Sequence, residues 1–272
     1  MNVAQLLEFK KSRTEVRATI KMMDNNLFNY TLRLADNALI LGHRLSEWCG
    51  HAPILEQDIA LSNIALDLIG QARSLYQYAA IVENRGRTED DLAYLRDVWD
   101  FCNCLLVEQP NGDFAMTIVR QFLFSAYALP MYQKLAESND EILRGVAEKA
   151  VKEVAYHLRW SSEWTIRLGD GTDESKRRTQ LAINQLWPFT GELMTVDGLE
   201  NWANTEGGGV DLEEIKNTFD KTVDAVFAEA NVEKPSSNWM QSGGKTGQHS
   251  EHLGYILADM QFLQRAYPNS TW

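Results

Sequence analysis

From Leu27 to Trp48, apolar residues recur at three-to-four spacing, at Leu27, Phe28, Leu34, Ala35, Ala38, Leu41, Leu45 and Trp48. That period marks one buried face of a helix, and Gly50 and Pro53 stop it. The stretch from Ile54 to Asn84 contains one glycine and no proline, so it reads as a helix of bundle length. A polar break, "NRGRTEDD", precedes a shorter helix predicted from Asp90 to Val107, and "EQPNGD" is a strong turn. Asp113 is placed to cap the next long helix, which ends near "ESND" and holds a potential kink at Pro130. From Asp140 to Leu168 the pattern is helical again, with no proline or glycine after Gly145, and "GDGTD" ends it.

Shorter elements follow. A helix is predicted to about Leu193, then an amphipathic piece over Leu199–Ala203. Asp211 and Glu214 have capping-box spacing before a helix running to Ala230. A Gly/Ser/Pro-rich loop spans Lys234–Gly247, and a last helix runs from His249 to Tyr267. No segment alternates as a strand does, and no short repeat appears. The pattern predicts an all-α fold: a four-helix bundle with additional C-terminal helices wrapped around it and short connections between antiparallel neighbours. The strong apolar pattern starts only at Leu27. Residues 1–26 are therefore expected to form a loosely attached N-terminal extension, and residues 27–272 a single domain.

Charge narrows the functional classes. The chain carries 26 basic and 38 acidic residues, a net charge of −12, and its pI is about 4.9. Such a surface repels phosphate backbones and anionic membrane surfaces, so neither nucleic acid nor membrane is an expected partner. No apolar run has the length of a membrane span, and the first 26 residues lack the apolar core of a signal peptide, so a cytoplasmic location is expected. Three cysteines, Cys49, Cys102 and Cys104, fit a reducing compartment and make no C-x-x-C site.

Three motifs invite chemistry. Gly244-Lys245-Thr246 has the end of a phosphate loop, but Trp239 stands where its first glycine belongs and no strand precedes it, so a tight loop is expected. His249 and His252 in "HSEH" could share a face toward a metal, yet an exposed helix start explains them as capping and surface residues. The third is "KEVAYHLRW", where Glu153 and His157 stand one turn apart. A di-iron bundle needs a Glu-x-x-His pair from each of two helices. The five histidines, at 43, 51, 157, 249 and 252, are preceded three positions earlier by Ile40, Trp48, Val154, Thr246 and His249. No such pair exists in the chain. Glu47/His51 and Glu153/His157, both at i, i+4, are the nearest approach, and the first crosses Gly50. An autonomous di-iron carboxylate oxygenase built on these four residues is the alternative reading, and a ferritin-like storage or scaffold protein is a third.

Several stretches together resemble the structural, non-catalytic ferritin-like subunits of the bacterial phenylacetyl-CoA epoxidase. They are "YTLRLADNALILGHRLSEWCGHAP", "DIALSNIALDLIGQAR", "LLVEQPNGDFAMTIVRQF", "KEVAYHLRWSSEWTIRLGDGTDES", "LWPFTGEL" and "GGKTGQHSEHLGYILADMQFLQR", which span Tyr30 to about Tyr267. The resemblance implies a subunit that pairs with and stabilises a homologous catalytic chain carrying the di-iron centre. A small accessory subunit and a reductase using NADPH, FAD and a 2Fe–2S cluster complete a monooxygenase that epoxidises phenylacetyl-CoA in phenylacetate catabolism. No catalytic residue, metal ligand or cofactor is then expected in this chain. Its degenerate metal-site slots would be Asp67-x-x-Gly70 and Glu153-x-x-Tyr156, with His157 beside them. Removal of metal leaves Asp67 and Glu153 in need of compensation, expected from a basic side chain, a shared proton, or Tyr156 and His157. The resemblance also implies a contribution to the CoA-ester site from Asp100, Phe101, Cys102 and Asn103 and from Asn201, Trp202 and Ala203, with basic residues supplied by the partner.

Overall fold

The computed structural model describes residues 3–237, 239–268 and 270, with side chains from Asn25 onward. Among these residues there are no strands and ten α-helices. They are α1 (Val3–Ser46), α2 (Leu55–Glu83), α3 (Glu89–Tyr94), α4 (Leu105–Glu108), α5 (Phe114–Leu135), α6 (Glu141–Gly169), α7 (Asp173–Leu186), α8 (Gly198–Thr205), α9 (Leu212–Glu229) and α10 (Glu251–Ala266). The four long ones form the expected ferritin-like bundle: α1 packs on α2, α5 packs on α6, and α2 against α6 joins the two pairs. α7 and α9 cover α5, while α8 and α10 close over α1.

Two helices are buried on all sides. Every residue of α1 from Tyr30 to Gly42 is buried, and so is every residue of α5 from Thr117 to Ala128. An ordinary surface helix hides one stripe, so these two are the core. The consequence is chemical: Arg33, Asp36 and Asn37, all within the buried stretch of α1, have no water to turn to and must find partners inside the protein. α2 can approach α1 closely because Gly42 lacks a side chain. A Cβ there would stand 3.0 Å from Ile69 Cγ1 and 3.3 Å from the Ala65 carbonyl.

Helix ends follow the local chemistry. Asp113 accepts from Met116 N at 3.0 Å, and Asp140 accepts from Ile142 N and Leu143 N at 3.0 and 2.9 Å. Four boundaries differ from the sequence pattern. α1 ends at Ser46, so Trp48 lies in the following turn. The single helix predicted over Asp90–Val107 is instead α3, a 3₁₀ turn at Val98–Asp100, an extended piece and α4. The helix expected to reach Leu193 stops at Leu186 because Pro188 cannot continue it, and two 3₁₀ turns follow. Asp211 caps α9 through Glu213 N at 2.8 Å, but Glu214 turns away to Lys134 at 3.1 Å, so no capping box forms. The expected extension over residues 1–26 has helical backbone from Val3 that runs unbroken into the core part of α1. The packing of its side chains up to residue 24 lies outside the described residues.

Gly42→Leu is expected to force α1 and α2 apart and to cost about 1–3 kcal/mol, the usual penalty of overpacking. Urea denaturation followed by circular dichroism measures it.

Candidate functional site

Asp67 and Glu153, the positions that the resemblance sets against a metal centre, lie on the seam between α2 and α6, which is a ladder of side-chain hydrogen bonds. Trp160 Nε1 donates to Gln57 Oε1 at 3.2 Å. His157 Nε2 lies 3.0 Å from Asp67 Oδ2, and Gln71 Nε2 donates to Glu153 Oε2 at 2.9 Å. The Tyr78 hydroxyl donates to Asp140 at the far end. The α2 number rises as the α6 number falls, as antiparallel helices require. The two middle rungs are one helical turn apart on each helix, so Asp67, Gln71, Glu153 and His157 form one cluster. Lys149 Nζ approaches Glu153 Oε1 at 3.5 Å from the solvent side.

The expected compensation is present, in part through different groups. His157, whose side chain is 1% exposed, serves Asp67, while Gln71 and Lys149 serve Glu153. Tyr156 does not bond either carboxylate in this structure; its ring packs edge-on to His157 at 6.3 Å. The cluster lies at the rim of the bundle rather than in its dry centre, because Asp67 keeps 34% and Glu153 16% of its side chain exposed. A Cβ on Gly70 would meet nothing within 4 Å.

The donor set does not suit a pair of irons. The seam offers one imidazole, that of His157, which faces Asp67, and Gly70 and Tyr156 bring no nitrogen. Among the described residues no three of the His, Cys, Asp and Glu side chains gather as a metal would require. Glu47 is drawn to Arg44 at 3.0 Å and Asn111 at 2.7 Å, and His51 is exposed in the turn beyond α1. The four residues of the alternative oxygenase reading are therefore not assembled around one point.

A second set of polar residues, which sequence reasoning passed over, is buried more deeply. Asp36, fully buried on α1, accepts four hydrogen bonds: from Tyr76 Oη at 2.5 Å, Cys102 N at 2.8 Å, and both Nη atoms of Arg96. Arg96 completes its five donors on the carbonyls of Leu92 and Asp100 and on Tyr76 Oη, and its Cζ stacks 4.1 Å from the Phe101 ring centre. Asn37 Oδ1 takes Cys104 N at 2.8 Å. One turn earlier, Arg33 forks onto Asp197 and Glu200, and Lys245 reaches Glu200 at 3.2 Å. Buried Glu192 and Glu108 accept backbone N–H groups of Leu105, Gly243, Lys245 and Ser250. Arg120 is wholly buried without a carboxylate. Burial first, and the charge of Arg44 second, lower its pKa to about 9. For Arg33, Asp36 and Asn37 the signal was visible: charges at three-residue spacing inside an apolar helix, "LRLADN".

Lys245 in the phosphate-loop remnant is buried and spent on Glu200 and on carbonyls, which agrees with a tight loop. His249 corrects the expectation of a surface residue. Its side chain is buried ahead of α10, with Nδ1 2.9 Å from Glu108 Oε2 and Nε2 2.9 Å from the Phe101 carbonyl. Both ring nitrogens face acceptors, which favours the imidazolium. Burial alone would lower its pKa, but the Glu108 carboxylate and the Phe101 carbonyl outweigh that and raise it.

The residues expected at a CoA-ester site divide. Phe101, Asn103 and Ala203 are fully buried in the packing just described, while Asp100, Cys102, Asn201 and Trp202 keep some exposure. Burial, then the Asp36 charge, pushes the Cys102 thiol up to about 11. Trp202 lines a cleft of about 590 Å³ shared with Gly207–Gly209, in which Glu137, Asp140, Glu206, Asp211 and Glu214 face a single cation, Lys134. Asn201 lines a smaller cleft of about 260 Å³, and neither cleft reaches residues 100–103. Among the described residues no helix is long and apolar enough to cross a membrane.

The family model described as "Phenylacetic acid catabolic protein" matches residues 11–272. The chain is also 49% identical, over 248 residues, to one of the subunits of the 1,2-phenylacetyl-CoA epoxidase of Escherichia coli (strain K12); the match covers 91% of this chain and 100% of that protein.

Two outcomes are expected from the buried network. Arg96→Met strands the Asp36 carboxylate and should cost about 3–5 kcal/mol in urea unfolding, with the double variant Asp36→Asn/Arg96→Met recovering part of the loss. His249, with its raised pKa, should contribute stability that is complete below its unfolded value of about 6.5 and is lost as pH rises through the folded value. Urea midpoints measured across that range should fall for the native chain and fall less for His249→Gln.

Proposed function

The chain belongs to the phenylacetic acid catabolic protein family, and on that premise we propose that it is the structural, non-catalytic subunit of a phenylacetyl-CoA epoxidase. In this reading it pairs with a homologous chain that holds the di-iron centre, in the cytoplasm, together with a small accessory subunit and an NADPH-dependent reductase carrying FAD and a 2Fe–2S cluster. The observation that carries the reading is the α2–α6 seam. The carboxylates that a di-iron relative would turn toward metal are here turned toward His157, Gln71 and Lys149. A seam tied by hydrogen bonds holds two helices in one register without a metal, which suits a chain whose work is to brace a neighbour.

A contribution to the CoA-ester site would come from the accessible members of the expected set, Asp100, Cys102, Asn201 and Trp202. The cleft beside Trp202 is acidic, so the cations that meet the nucleotide phosphates would belong to the unlike subunit.

Co-expression with the presumed catalytic chain tests the proposal through iron analysis and phenylacetyl-CoA turnover. Iron should track the unlike chain, and turnover should require both. His157→Gln with Glu153→Gln should leave iron content unchanged and turnover within a few-fold. Stoichiometric iron on this chain alone, lost in that double variant, would refute the reading in favour of an autonomous oxygenase.

A further inference from the structure

α8 is held to the fold by little apolar surface. Of its eight residues only Glu200 and Ala203 are buried, and Leu199 and Trp202 pack against the core in part. Gly198 opens the helix, where a Cβ would meet nothing within 4 Å, and Gly207–Gly209 follow it, with Gly208 at φ +67. Glycine in that left-handed region gives the chain a point about which to turn. Space lies on both sides of α8. Trp202, Asn204 and Thr205 stand in the wall of the cleft of about 590 Å³, and Glu200, Asn201 and Asn204 in that of the cleft of about 260 Å³. An element with few buried apolar contacts and open space beside it belongs to the part of a fold that opens locally.

What fastens α8 is charge. Arg33 Nη1 and Nη2 fork onto Asp197 Oδ1 and Oδ2 at 3.2 and 2.8 Å, and Nη1 also reaches Glu200 Oε1 at 2.8 Å. Lys245 Nζ meets the same Glu200 oxygen at 3.2 Å. Arg33 and Lys245 are 5% and 7% exposed. Both cations belong to fixed parts of the fold. Arg33 lies in the buried stretch of α1, and the backbone N–H of Lys245 is held by Glu192 Oε1 at 3.2 Å. Both acids belong to the glycine-flanked piece. The burial of such pairs is nearly balanced, because drying the charges offsets most of their attraction. Another anion of suitable shape can therefore take the place of the acids at small net cost. Arg33 also keeps a donor in reserve, since its Nε is buried with no partner. An idle buried donor calls for a role.

A guanidinium fork beside an ammonium is a donor set for phosphate. One phosphate dianion carries the charge of the two carboxylates and gathers its oxygens at a single centre. We propose that Arg33 and Lys245 form a latent site for a phosphate group, closed in this structure by α8, with Asp197 and Glu200 as its internal ligand. Opening turns α8 about its flanking glycines, withdraws both acids and lets the two clefts run together. The proposal does not depend on the assigned function, and it leaves the α2–α6 seam untouched.

Isothermal titration of the purified full-length chain with inorganic pyrophosphate, and separately with coenzyme A, tests it. Glu200→Gln and Asp197→Asn keep shape while removing a competing charge. Because apparent affinity scales with the open fraction, each should bind the probe about tenfold more tightly than the native chain. Lys245→Met in the Glu200→Gln background should lose that gain, with circular dichroism confirming the fold. Hydrogen exchange followed by mass spectrometry gives a readout that needs no variant. Pyrophosphate at millimolar concentration should speed exchange across α8 and leave α2 and α6 as they were. Coenzyme A binding more tightly than pyrophosphate would assign the phosphate to a nucleotide, and the reverse to the free ion; either supports the site. Failure of the native chain and both variants to bind either probe would overturn the proposal. So would binding that is indifferent to Glu200→Gln and Asp197→Asn and leaves exchange at α8 unchanged, the mark of an adventitious ion only.

Discussion

A helix buried on every side cannot leave a polar group unanswered, and α1 carries an acid, a base and an amide in such a stretch. The fold around it follows from answering them. Asp36 draws Arg96, Tyr76 and the backbone of Cys102 to itself. Arg33 does the same for α8 through Asp197 and Glu200. The long irregular segments on either side of α4 and before α10 have little regular structure of their own. They are held because buried carboxylates, Glu108 and Glu192, accept their N–H groups. Segments of that length are usually loose or functional; here they are pinned at several points along their course.

The seam between α2 and α6 uses the same chemistry to a different end. Its rungs lie partly in water at the middle, so the energy of each is modest, but their spacing admits only one register for the two helices. In a metal-bearing bundle the ions would set that register. Here hydrogen bonds span the seam instead, between His157 and Asp67 and from Gln71 to Glu153. The proposed structural role and the absence of a second imidazole would thus be two aspects of one arrangement.

Much of the fold was legible in the chain. The long helices were read from period alone, and the cap at Asp113 came from residue type. The failure at Asp90–Val107 has a clear cause. Its composition permits a helix, but Asp36 and Asn37 offer its backbone N–H groups stronger acceptors than a helical carbonyl would. His249 was misplaced for a related reason: nothing near it in sequence shows that Glu108 waits inside. For the candidate site, Asp67 and Glu153 were singled out by the family resemblance, whereas the Gln71 partner and the rim position were not legible in the chain.

By itself the sequence determined the all-helical bundle and the shortage of nitrogen donors, since periodicity and a count of histidines are properties of short windows and of composition. Only the tertiary structure decided which group meets which. Arg96 reaches Asp36 across 60 residues, His157 meets Asp67 across 90, and Arg33 finds the Lys245 carbonyl across 212. Such partners are chosen when a folded interior excludes water and each stranded charge must take the nearest group that can satisfy it, a choice made by packing rather than by spacing along the chain.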